Sequence, residues 1–344
     1  MGSLEDYAAA VAATRARLSE HPGLKDLVRY ATLAANGHNT QPWRFDLAKG
    51  RIATLPDFAR RTPVVDPDDH HLFASLGCAG ENLALSAAAC GRGGVLRFEP
   101  GGAGSLVFEF GGGRAERSAL FEAIPKRQST RADYDGRPVA VSDLEALAAA
   151  ARVPGVHLVL ATDRRQIERV LELVAAGNSA QIADPAFVRE LKAWLRFNPR
   201  EALQMGDGLF SAASGNPNLP TWLGGLMFDR VFRVATENDK YARQLRSSAG
   251  VAIFVSEQDD KDHWVRAGRA CQRFALQATA LGIKHAFINQ PVEVAALRPQ
   301  FASLVGTPGR RPDIVMRFGY GPTLPFSPRR PPEAVMTSVP EGVA

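Results

Sequence analysis

Gly37-His38-Asn39-Thr40-Gln41-Pro42-Trp43-Arg44-Phe45 is the stretch on which the reading of this chain turns. Before it, Leu27-Val28-Arg29-Tyr30-Ala31-Thr32-Leu33-Ala34-Ala35 repeats its apolar residues at helical spacing. After it, Trp43 to Leu47 alternates apolar and polar residues as a strand does. The chain therefore leaves a helix, turns through a polar loop and enters a strand. Two amides and an imidazole (His38, Asn39, Gln41) fall together in that loop. Amides carry both donors and acceptors, which suits the edge of a heterocycle that alternates the same groups. Pro42 fixes φ beside them, and Trp43 offers a large anchor for the strand. A polar loop beside a buried tryptophan would contain the same residues, so the rest of the chain has to decide.

The totals narrow the classes. A chain of 344 residues, 45% hydrophobic and 22% charged, can bury a sizeable core as one large domain or two ordinary ones. The net charge of +5 (41 basic, 36 acidic residues) is spread as pairs such as Arg60-Arg61, Arg164-Arg165, Arg310-Arg311 and Arg329-Arg330. No dense basic block with interleaved aromatics occurs, which argues against nucleic acid and fits a small anionic ligand such as a phosphate. Cys78, Cys90 and Cys271 are odd in number and form no C-x-x-C, so they read as small buried hydrophobes in a reducing, cytoplasmic setting. No 18-residue apolar run and no basic-then-apolar leader is present, so neither a membrane span nor a signal peptide is expected.

Taken in order, the pattern predicts helices at 3–20 and 24–35, a hairpin of strands at 43–47 and 51–55, and a Pro/Asp-rich connection over 56–71. A long Ala-rich helix at 72–90 ends on Gly91, and strands follow at 95–98 and 106–110. A short helix at 120–124 precedes Arg127-Gln128-Ser129-Thr130-Arg131. A helix at 142–152 capped by Ser142, a strand at 156–160 and a helix at 163–175 come next. Residues 178–248 carry Trp194, Trp222, Phe197, Phe210, Phe228 and Phe232 among turns, and read as an insertion of short helices that could act as a lid. The remainder is a strand at 250–256, a second Ala-rich helix at 264–281, a strand at 283–288, a helix at 292–304, a strand at 313–318 and a proline-rich tail from 322.

The two Ala-rich helices superimpose. Gly77, Ala79, Ala84, Leu85, Ala87, Ala89 and Gly91 fall on Gly268, Ala270, Ala275, Leu276, Ala278, Ala280 and Gly282 at a constant offset of 191. Each is followed by a strand, and later by a strand ending Phe-Gly, at Phe110-Gly111 and Phe318-Gly319. The chain thus reads as two related, unequal halves, 1–115 and 118–344, and a fused pair would imitate a two-fold dimer. Only the first half has Asn39-x-Gln41-Pro42-Trp43, and only the second has Arg127-x-Ser129-x-Arg131.

Those two motifs together, with the Ala-rich helices, resemble the FMN-dependent nitroreductase superfamily. His38-Asn39-Thr40-Gln41-Pro42-Trp43, the unequal halves and the long insertion look most like its Acg-type branch. The resemblance implies an α+β, nitroreductase-like fold: two fused halves, each with a central, mainly antiparallel sheet flanked by helices. It also implies one FMN per chain, in a monomeric pseudo-dimer or a dimer of these. By the same resemblance Arg127 and Ser129 would meet the flavin phosphate and Arg131 the N1/O2 edge. Asn36, Gly37, His38, Asn39 and Gln41 would supply the second wall, although the family loop usually reads Pro-Ser-Ser where Ala35-Asn36-Gly37 stands here. Arg329 and Arg330 would reach the phosphate from the tail, and Gln290-Pro291 would lie near flavin N5.

The reaction so implied passes two electrons from NAD(P)H to a nitroaromatic, quinone or similar acceptor and needs no catalytic side chain; Ser129 has no His/Asp partners in the sequence. With no G-x-G-x-x-G after a strand, the nicotinamide would be a visiting substrate. Two alternatives stay open. One is an FMN-sequestering protein whose insertion covers the flavin, and the other an oxygen-dependent flavoenzyme of the same superfamily. Asp66, Asp68, Asp69, His70 and His71 are expected to be a solvated connection with no metal, since adjacent histidines on a strand point opposite ways.

Overall fold

A computed structural model describes residues 3–19 and 21–338 of the chain. Helix α1 (Leu4–Thr14) starts on Ser3, whose hydroxyl accepts from the Asp6 N–H, and buries Tyr7 and Val11. It is shorter than its predicted 3–20: at Arg15 the side chain turns inward to Pro125 O, and Glu20 lies outside the described residues. Helix α2 (Leu24–Thr32) feeds the opening loop. Strands β1 (Trp43–Ala48) and β2 (Arg51–Pro56) form the expected hairpin, with Gly50 taking the left-handed turn at φ +80. Helix α3 (His70–Ala89) starts before the predicted Leu72, and antiparallel β3 (Gly94–Glu99) and β4 (Ser105–Phe110) follow.

The middle of the chain holds α4 (Ala119–Ala123), α5 (Val141–Ala150), β5 (Val156–Ala161) and α6 (Arg164–Ala183), which Asp163 caps. Ser142 lies inside α5 and caps nothing; the helix begins at Val141 without a side-chain cap. The insertion comprises α7 (Pro185–Ala193), β6 (Leu195–Arg196), α8 (Pro199–Met205), β7 (Leu209–Phe210), α9 (Thr221–Val231) and α10 (Val234–Arg246). Then come β8 (Gly250–Ser256), α11 (Lys261–Ala280), β9 (Lys284–Phe287), α12 (Gln290–Glu293), α13 (Arg298–Leu304), β10 (Pro312–Gly319) and β11 (Met336–Ser338). The predicted helix at 292–304 is two pieces: Val294 is extended and the helix restarts where Pro299, lacking an N–H, suits a first turn.

The strands form two main sheets. One has the order β11-β1-β2-β4-β3, antiparallel except that β11 joins β1 in parallel; the other has the order β5-β8-β10-β9 and is antiparallel throughout. The split at 115/118 therefore does not separate the sheets completely, because the tail strand β11 returns to the first.

Helix α3 packs on the first sheet, α11 on the second, and the two helices pack on each other. Their contact is reciprocal. A Cβ on Gly77 would lie 2.0 Å from Val265 O, and a Cβ on Gly268 would lie 1.9 Å from Ala74 O. Gly77 and Gly268, like Ala74 and Val265, are separated by 191. The polar contacts repeat the relation: Arg273 Nη1 donates to Glu81 Oε1 at 2.7 Å and Gln272 Nε2 to Asn82 Oδ1 at 2.8 Å. Such an exchange of partners is what an isologous contact looks like. Cys78 and Cys271 are buried at this crossing, and Cys90 is half-buried at the end of α3.

Candidate functional site

The opening loop is strained and stitched down. His38, Asn39 and Gln41 all have left-handed φ (45°, 54° and 54°), each costing of order 1–3 kcal/mol in a residue that is not glycine. Hydrogen bonds hold them there. Gln41 N donates to Asn36 Oδ1 (2.9 Å) and Thr40 N to Gly37 O (2.9 Å). Asn39 Nδ2 donates to Gly208 O and Pro328 O, both at 3.1 Å, while its Oδ1 accepts from Arg329 Nη1 at 2.8 Å. Gln41 Nε2 donates to Gly206 O (2.8 Å), and its Oε1 accepts from Arg330 N (2.8 Å). The two amides thus tie the loop to the insertion and to the tail. This corrects the expectation that they present a free edge to a heterocycle: protein groups already occupy them, and Gln41 is fully buried.

Beside the loop runs a cleft, open to solvent, lined by Arg15, Ala35, Asn36, Asn39, Arg127, Gln128, Ser129, Arg131, Leu209, Pro325, Ser327 and Arg329. None of these residues is acidic. The C-terminus of α2 arranges the guanidinium groups, because its last carbonyls have no helical donors. Arg329 Nε donates to Thr32 O (2.7 Å) and its Nη2 to Ala34 O (3.2 Å), and Arg127 Nη2 donates to Leu33 O (3.1 Å). Arg15 lies over the Phe326 ring and donates from Nη1 to Pro125 O (2.9 Å) and Arg127 O (3.3 Å). Arg127 is 2% exposed, yet among the described residues its Nε and Nη1 have no partner, and neither has Arg15 Nε. Burial, then the charges of Arg329 and Arg127, hold the Arg15 guanidinium well below its ordinary pKa, and burial, then the charge of Arg127, pulls Arg329 down to about 9. Buried cations facing one another with spare donors form a site for an anion.

Ser129 pairs with His285 in a parallel bridge, and Thr130 N donates to His285 O at 2.8 Å, which fixes the motif against β9. Three successive carbonyls are then clamped. Tyr134 Oη donates to Thr130 O (3.0 Å), Gln244 Nε2 to Arg131 O (2.9 Å), and buried Arg317 donates from Nη2 to Ala132 O (2.8 Å). The Arg131 side chain is therefore presented from a rigid backbone.

Of the residues expected in the site, the cleft brings together Arg127, Ser129, Arg131, Asn36, Asn39 and Arg329. Arg330 turns away, its guanidinium donating to Ala334 O (2.8 Å) near Asp57, so only one of the tail pair enters. Gly37, His38, Gln41, Gln290 and Pro291 do not line the cleft. His38 keeps a buried Nδ1 without a partner; burial, then the charges of Arg131 and His71, lower its pKa to about 4. Gln290 Oε1 is likewise buried without a partner, under α6 at Gly177. The insertion supplies Leu209 to the cleft, while Trp222 is 73% exposed and Phe228 stacks on Phe232. Arg15 is the residue the sequence reading missed. Its signal was its place on the buried stripe of α1: Tyr7, Val11 and Arg15 follow one another at helical spacing.

Among the described residues none bonds either ring nitrogen of His285, behind Arg127, and burial, then Arg127, lower its pKa to about 3. A histidine buried neutral contributes stability that is complete above the unfolded pKa near 6.5. That stability is lost as the pH falls, because the unfolded chain takes up the proton first. We expect about 3 kcal/mol of stability to vanish through this ring between pH 6.5 and pH 4, with His38 adding in the same direction. Urea denaturation across that range checks it, and a His285→Gln variant should lose the corresponding slope.

The Asp/His connection is not the solvated segment expected. Asp66 is buried and caps α3, with its carboxylate accepting from His71 N and Leu72 N. His70 and His71 stand on the first turn of a helix rather than in the connection before it, and their rings meet with centroids 4.7 Å apart. Asp68 pairs with Arg311 and Asp69 with Arg61.

Comparison with known proteins adds the following. A family model described as the nitroreductase family matches residues 124–321. A Mycobacterium tuberculosis H37Rv protein, provisionally named NAD(P)H nitroreductase Rv3131, is 29% identical over 328 residues, 89% of each chain. Another from the same strain, provisionally named NAD(P)H nitroreductase acg, is 25% identical over 327 residues, 91% of this chain and 94% of its own. Among solved structures, a nitroreductase with bound FMN from Desulfitobacterium hafniense superimposes with a TM-score of 0.41 at 15% identity. That match covers 64% of this chain and 98% of that one.

Proposed function

The chain belongs to the nitroreductase family, a family of oxidoreductases, and from that premise we propose that it holds one FMN in the arginine-lined cleft and transfers electrons from NAD(P)H to a nitroaromatic, quinone or similar acceptor. The observation that carries this reading is the set of unpartnered, buried guanidinium donors of Arg127 and Arg15, in a cleft that Arg329 also enters and that has no acidic lining residue. Those donors fit a phosphate monoester dianion, which takes bidentate, charge-assisted bonds from guanidinium groups. When bound, FMN would supply the two-electron chemistry.

The protein's share is binding and electrostatics. Arg127, Ser129, Arg15 and Arg329 would hold the phosphate. Arg131, on its clamped backbone, would place a fixed cation at the pyrimidine edge of the heterocycle. Asn39 would act by fixing Arg329 and the loop. The halves 1–115 and 118–344 would act as a fused pair with one working site, since only one half carries each motif.

The test is direct. The purified chain should carry flavin at a ratio near one per chain, and NADPH or NADH added without oxygen should bleach it. A ratio near two contradicts the single site. A flavin that dithionite reduces but neither nicotinamide does would make the protein a flavin carrier rather than a reductase. Consumption of oxygen with an altered product would place it with the oxidative members of the family.

A further inference from the structure

Outside the cleft lining, the start of α3 gathers two imidazoles and a carboxylate that the proposed reaction does not use. We propose that Asp66, His70 and His71 form a binding site for one divalent transition-metal ion of borderline softness, of which Zn²⁺ is the type. One ring nitrogen of each histidine and one carboxylate oxygen of Asp66 lie within 4.8 Å of one another. Two nitrogens and one oxygen are a donor set that such ions accept, with a further position left for water.

The second layer around these residues is built as metal sites are built. A metal-binding histidine usually has its other ring nitrogen held by a carboxylate or a carbonyl, which fixes the tautomer and the ring. Here one residue, Asp313 on β10, serves both rings. Its Oδ1 stands 2.8 Å from His70 Nε2, and its main-chain oxygen 3.2 Å from His71 Nε2. Asp313 is itself fixed, because Ser256 N donates to its Oδ2 at 2.6 Å. The Asp313 carbonyl can only accept, so His71 carries its proton on Nε2 and its Nδ1 keeps a lone pair; His70 does the same when its Nε2–H is donated to the Asp313 carboxylate. Asp66 is held in place by the two N–H groups at the start of α3 and retains lone pairs beyond those bonds.

A purely structural account covers part of this arrangement. Capping accounts for Asp66, and the bond to Asp313 accounts for His70. Neither accounts for His71 Nδ1, which faces Asp66 Oδ1 at 3.8 Å. That separation is too long for a hydrogen bond. It is close to the roughly 3.5 Å between two ligands that sit about 2.0–2.2 Å from one tetrahedral ion. Of the neighbouring acids, Asp68 and Asp69 are committed to Arg311 and Arg61, and Glu293 accepts from Gln181 Nε2 at 2.6 Å. Asp66 and His70 are almost wholly buried, and His71 is the more exposed member.

The experiment uses the untagged full chain, stripped with a chelator and titrated with Zn²⁺ by calorimetry and with Co²⁺ by visible absorption. We expect one equivalent of Zn²⁺ per chain with a Kd in the micromolar range or tighter, and the visible bands of a low-symmetry Co²⁺ site. His71→Ala should weaken Zn²⁺ binding at least 100-fold, and Asp313→Asn about 10-fold or more. Should His71→Ala fold poorly by circular dichroism, His71→Gln replaces it with the same expected loss. Absence of stoichiometric binding overturns the proposal, as does binding that survives unchanged in a folded His71 variant. Neither readout depends on flavin content.

Discussion

Gly268→Ala lowers stability by about 3 kcal/mol or more, and Gly77→Ala does the same, although each adds only a methyl group to a helix. By helix propensity alone, glycine to alanine inside a helix should gain about 1 kcal/mol. The crossing reverses the sign. The new carbon would sit 1.9 Å from Ala74 O in one case and 2.0 Å from Val265 O in the other, and both obstacles are backbone atoms of a packed helix. Relief requires α3 and α11 to move apart, which opens the core between the two sheets. Because one separation relieves both clashes, the double variant should cost clearly less than the sum of the singles. Urea denaturation of the three variants measures this. A gain in either single variant would show that the helices do not touch at these glycines, and fully additive losses would show that the two clashes are relieved separately.

That contact was largely legible in the sequence. Small residues at a constant offset in two Ala-rich stretches announce helices that approach closely, and the glycine pair at their centre is the point of closest approach. The Arg127-x-Ser129-x-Arg131 motif was legible for a similar reason: its residues are near neighbours, and an extended chain brings alternate side chains to one side. What escaped was set by distant partners. Asn39 and Gln41 spend their amides on Gly206, Gly208 and Pro328, and nothing local to the loop records that choice. Arg329 and Arg330 are equivalent in sequence, but only Arg329 faces the carbonyls that end α2. Arg15 carries no local mark of a binding residue beyond its place one turn past buried Tyr7 and Val11. The two histidines after Asp69 read as the end of a solvated connection, whereas the Asp66 carboxylate starts a helix there.

Arg127→Met should act in opposite directions on stability and on binding. In the ligand-free chain, Arg127 is a buried cation with two unbonded nitrogens, close to Arg15 and Arg329. Methionine keeps much of the apolar stem and removes the charge. Replacing an uncompensated buried charge by an apolar group of similar shape commonly stabilises, even after the bond to Leu33 O is lost. The ligand-free variant should therefore unfold at a higher urea concentration than the parent. Binding moves the other way. Two charge-assisted hydrogen bonds at about 1.5–3 kcal/mol each correspond to at least a 100-fold loss in FMN affinity. Riboflavin, which lacks the phosphate, should bind parent and variant alike, so the preference for FMN over riboflavin collapses. Inorganic phosphate should raise the melting temperature of the parent by mass action and leave the variant unmoved. If the variant instead loses stability in the ligand-free form and retains its FMN affinity, Arg127 is a structural arginine and the phosphate site lies elsewhere. The opposed signs matter because general damage to the fold would lower both quantities. Only a residue held under strain for its ligand lowers one while raising the other.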